Sequence, residues 1–383
     1  MKSIKFIIPI IVLLFLLMPY LVFEREMSFL PRNVQKQDIL KTDMNIPEAE
    51  KKALSFLVES MSGPQLSIYT NYLNTSGDKS NTASGQDILS ESQGLLLLYM
   101  LNRNIKEHFD LCLHWTVNNL YINKGSFSWI KRKTSESEMT TALIDDLRIA
   151  RALILAYEKW QDDRYLKLVR KLSSAMLKYN IQDLMPLDFY DFASRNKANC
   201  ITISYADLYT MKKLALFDSR WEKVYTNSYE LIKNAAFEGT GLYMFQYDFD
   251  KMAYSIDEDI SLIQSVCVML HQQETGQQNK QGTDWIWEQY LKHGKLFAVY
   301  SSSTFEPATD IESTALYALV ARLFYESGDI QKAQIFIKEC EKFQVGNEES
   351  EIYGAFGNDM NLEVYSFDNL EYILSSSIIF SNK

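Results

Sequence analysis

The chain is poor in cysteine, histidine, glycine and proline, and each scarcity removes a class of function. Four cysteines, Cys112, Cys200, Cys267 and Cys340, are scattered through 383 residues without a CxxC pair. That spacing encodes no zinc ribbon and gives no evidence of a disulfide framework, so they read as small buried hydrophobes. The four histidines, His108, His114, His271 and His293, form neither HExxH nor a triad, which removes the common metallohydrolase signatures. No metal and no organic cofactor is expected. Basic charge is in deficit: 39 Lys and Arg stand against 49 Asp and Glu, a net charge of −10. Such a surface repels phosphate backbones, so no nucleic-acid partner is expected, and a neutral or cationic glycan suits it better. Within the body no Gly-, Ser- or Pro-rich linker appears, and no TPR or HEAT consensus repeats. The body therefore reads as one domain.

What is present begins with an apolar run. Lys2 and Lys5 precede Phe6–Phe23, about 18 residues, at the lower edge of what spans a bilayer. Glu24, Arg25 and Glu26 follow, with no Ala-x-Ala cleavage site and no lipid-accepting cysteine. This predicts residues 1–23 as an uncleaved transmembrane signal anchor, with the membrane as a partner, the N-terminus inside and the body outside. Residues 24–45, carrying Pro31, Gln35 and Gln37, read as a polar stalk, and 46–383 as the body. The expected localisation is a single-pass cell-membrane protein with an extracellular domain; secretion is the alternative.

The body reads as helix after helix. Apolar residues recur at helical spacing over 48–61, 85–103, 106–120, 138–160, 163–179, 203–214, 219–236, 258–275, 283–295, 311–327, 329–344 and 361–379. In the fourth stretch Leu143, Leu147, Ala150, Ile154 and Tyr157 define one face. Ser84, Asp162 and Asp218 are candidate helix starts, and Gly276 and Gly328 candidate stops. A short ribbon is expected around 240–255. Helical pairs in this number suit an all-α (α/α)6 toroid of about six hairpins; a superhelical solenoid is the rival.

Three acidic segments interrupt this pattern. SESQGLLLLYML opens a strongly apolar helix with Glu91; TTALIDDLRIA sets Asp145 and Asp146 beside its core face; SIDEDISLI opens the eighth stretch with Asp257, Glu258 and Asp259. Each alone has an ordinary reading: a first-turn carboxylate, an Asp–Arg pair with Arg148, an acidic N-cap.

Taken in order, the segments resemble glycoside hydrolase family 8. SESQG stands at that family's Ser-Glu-Gly motif with Ser92 for the glycine, and the resemblance makes Glu91 the general acid. SFSWIKRK places Trp129 at a sugar-stacking tryptophan, and DDLRIA puts Asp146 on the first aspartate of the next motif and Arg148 in place of the second. ISYADLYTM places Tyr205 at a substrate-side tyrosine, SIDED gives Asp257 the base role with Asp259 as the competing position, and VYSFDNLEYIL matches the closing helix led by Tyr365. Ile260 stands where many members carry arginine. The likeness is nearest to a divergent, exopolysaccharide-associated, membrane-tethered branch. It implies catalytic Glu91, Asp257 and Asp146, and substrate-binding Trp129, Tyr205 and Arg148. It also implies a polysaccharide substrate, with the exopolysaccharide synthesis machinery as a further partner.

The expected chemistry is inverting hydrolysis of a β-linked bacterial exopolysaccharide, one carboxylic acid protonating the leaving oxygen while a carboxylate activates water, about 6.5–9.5 Å apart. The alternative is a non-catalytic glycan-binding protein on the same scaffold, favoured by Arg148 and Ile260. A solenoid interaction protein and a polysaccharide lyase are weaker readings, since lyases recruit Tyr or His bases with basic residues.

Overall fold

A computed structural model describes residues 29–31, 33–42, 45–74, 83–122, 124–133, 138–255 and 259–381. Within them lie twelve α-helices in chain order: α1 Glu48–Glu59, α2 Ser90–Asn102, α3 Lys106–Leu120, α4 Leu143–Trp160, α5 Asp163–Tyr179 and α6 Leu208–Leu214. The second half adds α7 Arg220–Asn234, α8 Leu262–Gln273, α9 Lys280–His293, α10 Thr314–Glu326, α11 Ile330–Glu341 and α12 Ser366–Ile379. Even-numbered helices form a closed inner ring, α2 against α4, α4 against α6, and so on through α12, which returns to α2. Odd-numbered helices lie outside: α1 packs on α12, α3 on α2, α5 on α4, α7 on α6 and α11 on α10. The all-α toroid of helical hairpins is therefore observed.

Sequence chemistry sorts the two rings. Helix α5 is amphipathic, burying Tyr165, Leu168, Val169, Leu172 and Met176 while lysines and arginines face water. Helix α10 is buried almost throughout, from Thr314 to Phe324. A helix covered on every side needs no polar face, whereas a ring-outer helix needs one. Glu50 of α1 ties the rings together: with its side chain fully buried it accepts hydrogen bonds from Arg103 Nε at 2.8 Å, Tyr99 Oη at 3.0 Å and Ser376 Oγ at 2.6 Å.

Helix starts depart from expectation in places. Asp162 caps α5 as predicted, accepting from the Arg164 N–H, and Asp218 accepts from the Arg220 N–H at 3.0 Å. Ser84 caps nothing: α2 begins at Ser90, whose N–H donates to the Trp129 carbonyl at 3.0 Å. The eighth stretch does not open on its acids either. Asp259 belongs to a strand, Asp259–Ser261, paired with Val299–Ser301, and α8 starts at Leu262. The β-branched Ile260 lies in this strand, and strand pairing overrides the N-cap pattern at Asp259. The ribbon expected near 240–255 is present as Gln246–Asp248 against Ala253–Ser255, with Cys200–Thr202 on the other edge.

The membrane anchor is corrected. No helix among the described residues is long and apolar enough to cross a membrane, and Phe6–Phe23 lie outside the described residues. The membrane partner and the single-pass localisation fall with it. The described part of the segment read as a stalk packs onto the body: Phe29 is 1% exposed and stacks on Tyr165 with ring centroids 5.8 Å apart, and Ile39 is buried. A mostly polar composition concealed two apolar residues that find a groove.

Candidate active site

A cavity of about 710 Å³ runs inside the helical ring. Helices α2, α4, α8, α10 and α12 and the turn before α6 all line it. Glu91 and Asn102 both face it from α2, and at 1.5 Å rise per residue those positions are about 16 Å apart, so the cavity is deep.

Glu91 sits in the first turn of α2 with its side chain partly accessible at the cavity wall. Burial raises its carboxyl to about 7; Asp145 and Glu371 push the same way, while Arg148 opposes them. Loss of hydration disfavours the anion more than one guanidinium restores it. Arg148, in the second turn of α4, donates from Nη1 to Asp145 Oδ1 at 2.9 Å, and Ser90 Oγ donates to Asp145 Oδ2 at 2.7 Å. Burial opposes the charge on Arg148, but Asp145, Glu91 and Glu371 outweigh it and hold its pKa above the usual value. Gly94 makes this possible: a Cβ there would stand 3.0 Å from Arg148 Cδ, so the arginine stem lies directly against α2.

Of the expected site residues, Glu91, Arg148 and Tyr205 line the cavity together. Burial pushes the Tyr205 phenol well above its ordinary range, with Asp145 adding to the effect, so it is a neutral hydrogen-bonding and stacking group. Asp146 does not join them. It is fully buried away from the cavity, accepting the Phe127 N–H at 3.0 Å, and burial raises its pKa far above the carboxylate range. One helical residue is a 100° rotation, and the ring presents Asp145 toward Ser90 and Arg148 instead. Arg148 is accordingly paired with Asp145 rather than Asp146. Trp129 is also not on the cavity wall: its Nε1 donates to Glu138 at 2.9 Å and Arg132 lies over its ring at 5.8 Å. Asp257 lies outside the described residues. Asp259 is exposed on its strand and borders a separate, smaller cavity with Ile260.

Sequence reading passed over Arg151, Arg322 and Glu371, which also line the cavity. Each is a charge in a largely apolar stretch, and that was the available signal: a charge there needs a partner or a ligand. Cys267 lies among them, its thiol pushed up to about 12 by burial and therefore not a nucleophile. Deeper in the cavity Asp207, His271 and Glu274 bring potential metal-ligand atoms within 4.8 Å of one another. Arg151 already grips Glu274 with two bonds of 2.8 and 2.6 Å, and Asp207 accepts the Thr210 N–H at 2.9 Å as cap of α6. Glu274 thus already has a cationic partner in Arg151.

The chain matches the sequence model of Glycosyl hydrolases family 8 over residues 59–257, a stretch that includes Glu91. YdaJ of Bacillus subtilis is 28% identical over 82% of this chain and 86% of its own. A solved structure described as a novel alpha-amylase from Clostridium perfringens is 31% identical, with a TM-score of 0.82 over 88% of this chain and 98% of that one. Endoglucanase Cel10 of Klebsiella pneumoniae, 17% identical, shares the fold, with a TM-score of 0.57 over 77% of this chain and 92% of its own.

Proposed function

The chain belongs to glycosyl hydrolases family 8 and is a glycosidase, and from that premise we propose that it hydrolyses a polysaccharide in the ring cavity with Glu91 as general acid. The observation that carries this reading is the Glu91 carboxyl, raised to about 7 at the wall of a deep cavity. An acid of that strength is protonated near neutral pH yet gives up its proton readily, as the departing glycosidic oxygen requires. Arg148 sets its field from the same wall, and Asp145, bonded to Ser90 and Arg148, adds to it without facing the cavity as a second free carboxylate. Asp257 is assigned the complementary role, activating water on the far side of the sugar so that the configuration inverts. Tyr205 offers a neutral face to the sugar ring.

The substrate follows from neighbouring proteins only as a panel. An α-glucan is suggested by the amylase named for the Clostridium relative, a β-glucan by the fold shared with Cel10, and a bacterial exopolysaccharide by the branch of the family that the sequence resembles. The test is release of new reducing ends from each, with Glu91→Gln and Asp257→Asn alongside. Turnover by the wild type that drops at least 100-fold in both variants supports the assignment. Undiminished turnover in Glu91→Gln removes Glu91 from it.

One observation favours a second reading, glycan binding without turnover. Arg148 brings a positive charge beside the acid where the family motif carries aspartate, and it lowers the carboxyl it faces. Under this reading wild type retains a glycan from the panel, measured by calorimetry, and releases no reducing ends.

A further inference from the structure

Outside the ring, residues 29–42 are held to the body by side chains alone. Their short 3₁₀ turn, Lys36–Lys41, lies across α1, α3 and the turn Pro64–Leu66. Phe29 seats one end against Tyr165 and under the Arg164 guanidinium, 5.1 Å from its ring centroid, and the fully buried Ile39 seats the other. Lys36 Nζ adds hydrogen bonds to the Ser62 carbonyl at 2.7 Å and Ser62 Oγ at 3.1 Å. Among the described residues no backbone hydrogen bond joins the segment to the body; Asp38 N–H to the Gln35 carbonyl, at 3.0 Å, stays within it. Against this segment sits His108, in the first turn of α3 and 4% exposed, with neither ring nitrogen hydrogen-bonded. It faces Asp38 and the Gln35 backbone from the segment and Glu107 from its own helix, and Asp38 is engaged by Lys41 Nζ at 2.9 Å. A neutral imidazole can be buried there; an imidazolium would bring a charge and two donors out of water. Burial accordingly lowers the His108 pKa, outweighing Gln35, Asp38 and Glu107, which all favour the charged form.

We infer that residues 29–42 form an acid-released strap, docked on the outer helices while His108 is neutral and let go when it takes a proton. The inference stands apart from the hydrolytic reading, since no residue of the strap lines the ring cavity. Two environments set its direction. With the strap lifted, His108 meets water and titrates near its ordinary 6.5; under the strap it binds a proton less well. Well above 6.5 neither state is protonated and docking is at full strength. Below 6.5 the lifted state gains a proton that the docked state refuses, so docking weakens by up to about tenfold per pH unit. The strap can give way alone. Helix α1 beneath it is tied to the ring through Glu50, bonded to Arg103, Tyr99 and Ser376, whereas the strap has only its two apolar seats and one lysine. Release turns 29–42 into as much as about 45 Å of free chain ahead of the body and bares the apolar seats of Phe29 and Ile39.

The experiment is limited proteolysis of the full chain with papain at pH 7.5 and pH 5, the cuts being mapped by mass. Cleavage within 29–42 tracks the lifted population when lifting is fast. Ile39→Ser removes one apolar seat and serves as the released reference, so the ratio of wild type to Ile39→Ser at each pH cancels the protease's own pH dependence. That ratio is expected to rise at least threefold from pH 7.5 to pH 5, with a ceiling of about 30-fold from 1.5 units below 6.5. In His108→Gln and His108→Phe, neither of which titrates, the ratio should move less than about 1.5-fold, while cuts within 46–381 stay equal in all four proteins. A wild-type ratio that is flat, or that falls in acid because Asp38 and Glu107 clasp the imidazolium, overturns the inference. So does a rise that persists in whichever His108 variant folds, or one matched by equal new cutting of the body, which would mark general acid unfolding.

Discussion

Replacing Glu91 by glutamine should abolish turnover and at the same time stabilise the protein at alkaline pH. The argument runs through protons. An unfolded glutamate ionises near 4.5, while the folded carboxyl is raised to about 7, chiefly by burial. Below pH 4.5 both states hold the proton and Glu91 has no differential effect. Between 4.5 and 7 the unfolded chain releases it and the folded one keeps it, so stability falls as pH rises. Above 7 the loss is complete. A difference of roughly 2.5 pKa units corresponds to about 3 kcal/mol, and solvent contact at the cavity wall trims this toward about 2. Glutamine does not titrate and carries no such loss. With an unfolding entropy of about 2 cal/mol/K per residue over roughly 350 ordered residues, the variant should melt about 3–4 °C above wild type at pH 8, relative to their difference at pH 5. Meanwhile loss of the general acid should cost about 10²- to 10⁴-fold in rate. Thermal melts of both proteins at the two pH values, with reducing-end assays in parallel, decide it. A difference in melting temperature that is the same at pH 5 and pH 8 would mean the Glu91 carboxyl is ordinary, and the case for it as the acid would fail.

Other outcomes follow from the same geometry. In wild type, kcat/KM should fall about tenfold per pH unit above about 7, because Glu91 must be protonated to act; a flat profile from pH 6 to 9 would contradict this. Asp146→Asn should keep turnover within about threefold, since an amide oxygen still accepts the Phe127 N–H, whereas Asp146→Leu should lose about 1–3 kcal/mol in a denaturant titration. Glu50→Ala strands the Arg103 guanidinium between the rings and should cost about 3–5 kcal/mol by the same titration, with activity of the surviving folded fraction unchanged. Gly94→Ala should displace Arg148, and the alkaline limb of the rate profile should move to higher pH as the guanidinium's pull on Glu91 weakens. An unmoved limb would show that the arginine does not set the acid.

The ring was legible in the sequence because apolar residues recur at helical spacing in stretch after stretch. Glu91 was legible because a first-turn carboxylate opening such a stretch is conspicuous. The choice between Asp145 and Asp146 was not, since it depends on how α4 is rotated in the ring, which Ser90 and the Phe127 N–H decide from distant parts of the chain. The surroundings of Trp129 were hidden for a related reason: its indole N–H bonds Glu138 and Arg132 lies over its ring, contacts that local sequence does not announce. Arg322 and Glu371 sit 49 residues apart in sequence on separate helices, and nothing local pairs them.

Closure of the inner ring has a consequence for how the molecule comes into being. Helix α12 is the last helix in sequence order among the described residues, yet it supplies one flank of α2, through contacts such as Ser92 Oγ with Ser366 Oγ at 3.0 Å. The wall beside Glu91 therefore stays open until the ribosome has delivered α12. Contacts that span nearly the whole chain are made late and slow folding, so a growing polypeptide passes through most of its synthesis as an unclosed arc with the apolar sides of α2 and α10 bare. A chain shortened before Ser366 should accumulate as aggregate or be degraded rather than persist as a smaller, weaker enzyme, which a series of C-terminal truncations compared for soluble yield would reveal as a step at α12 instead of a slope.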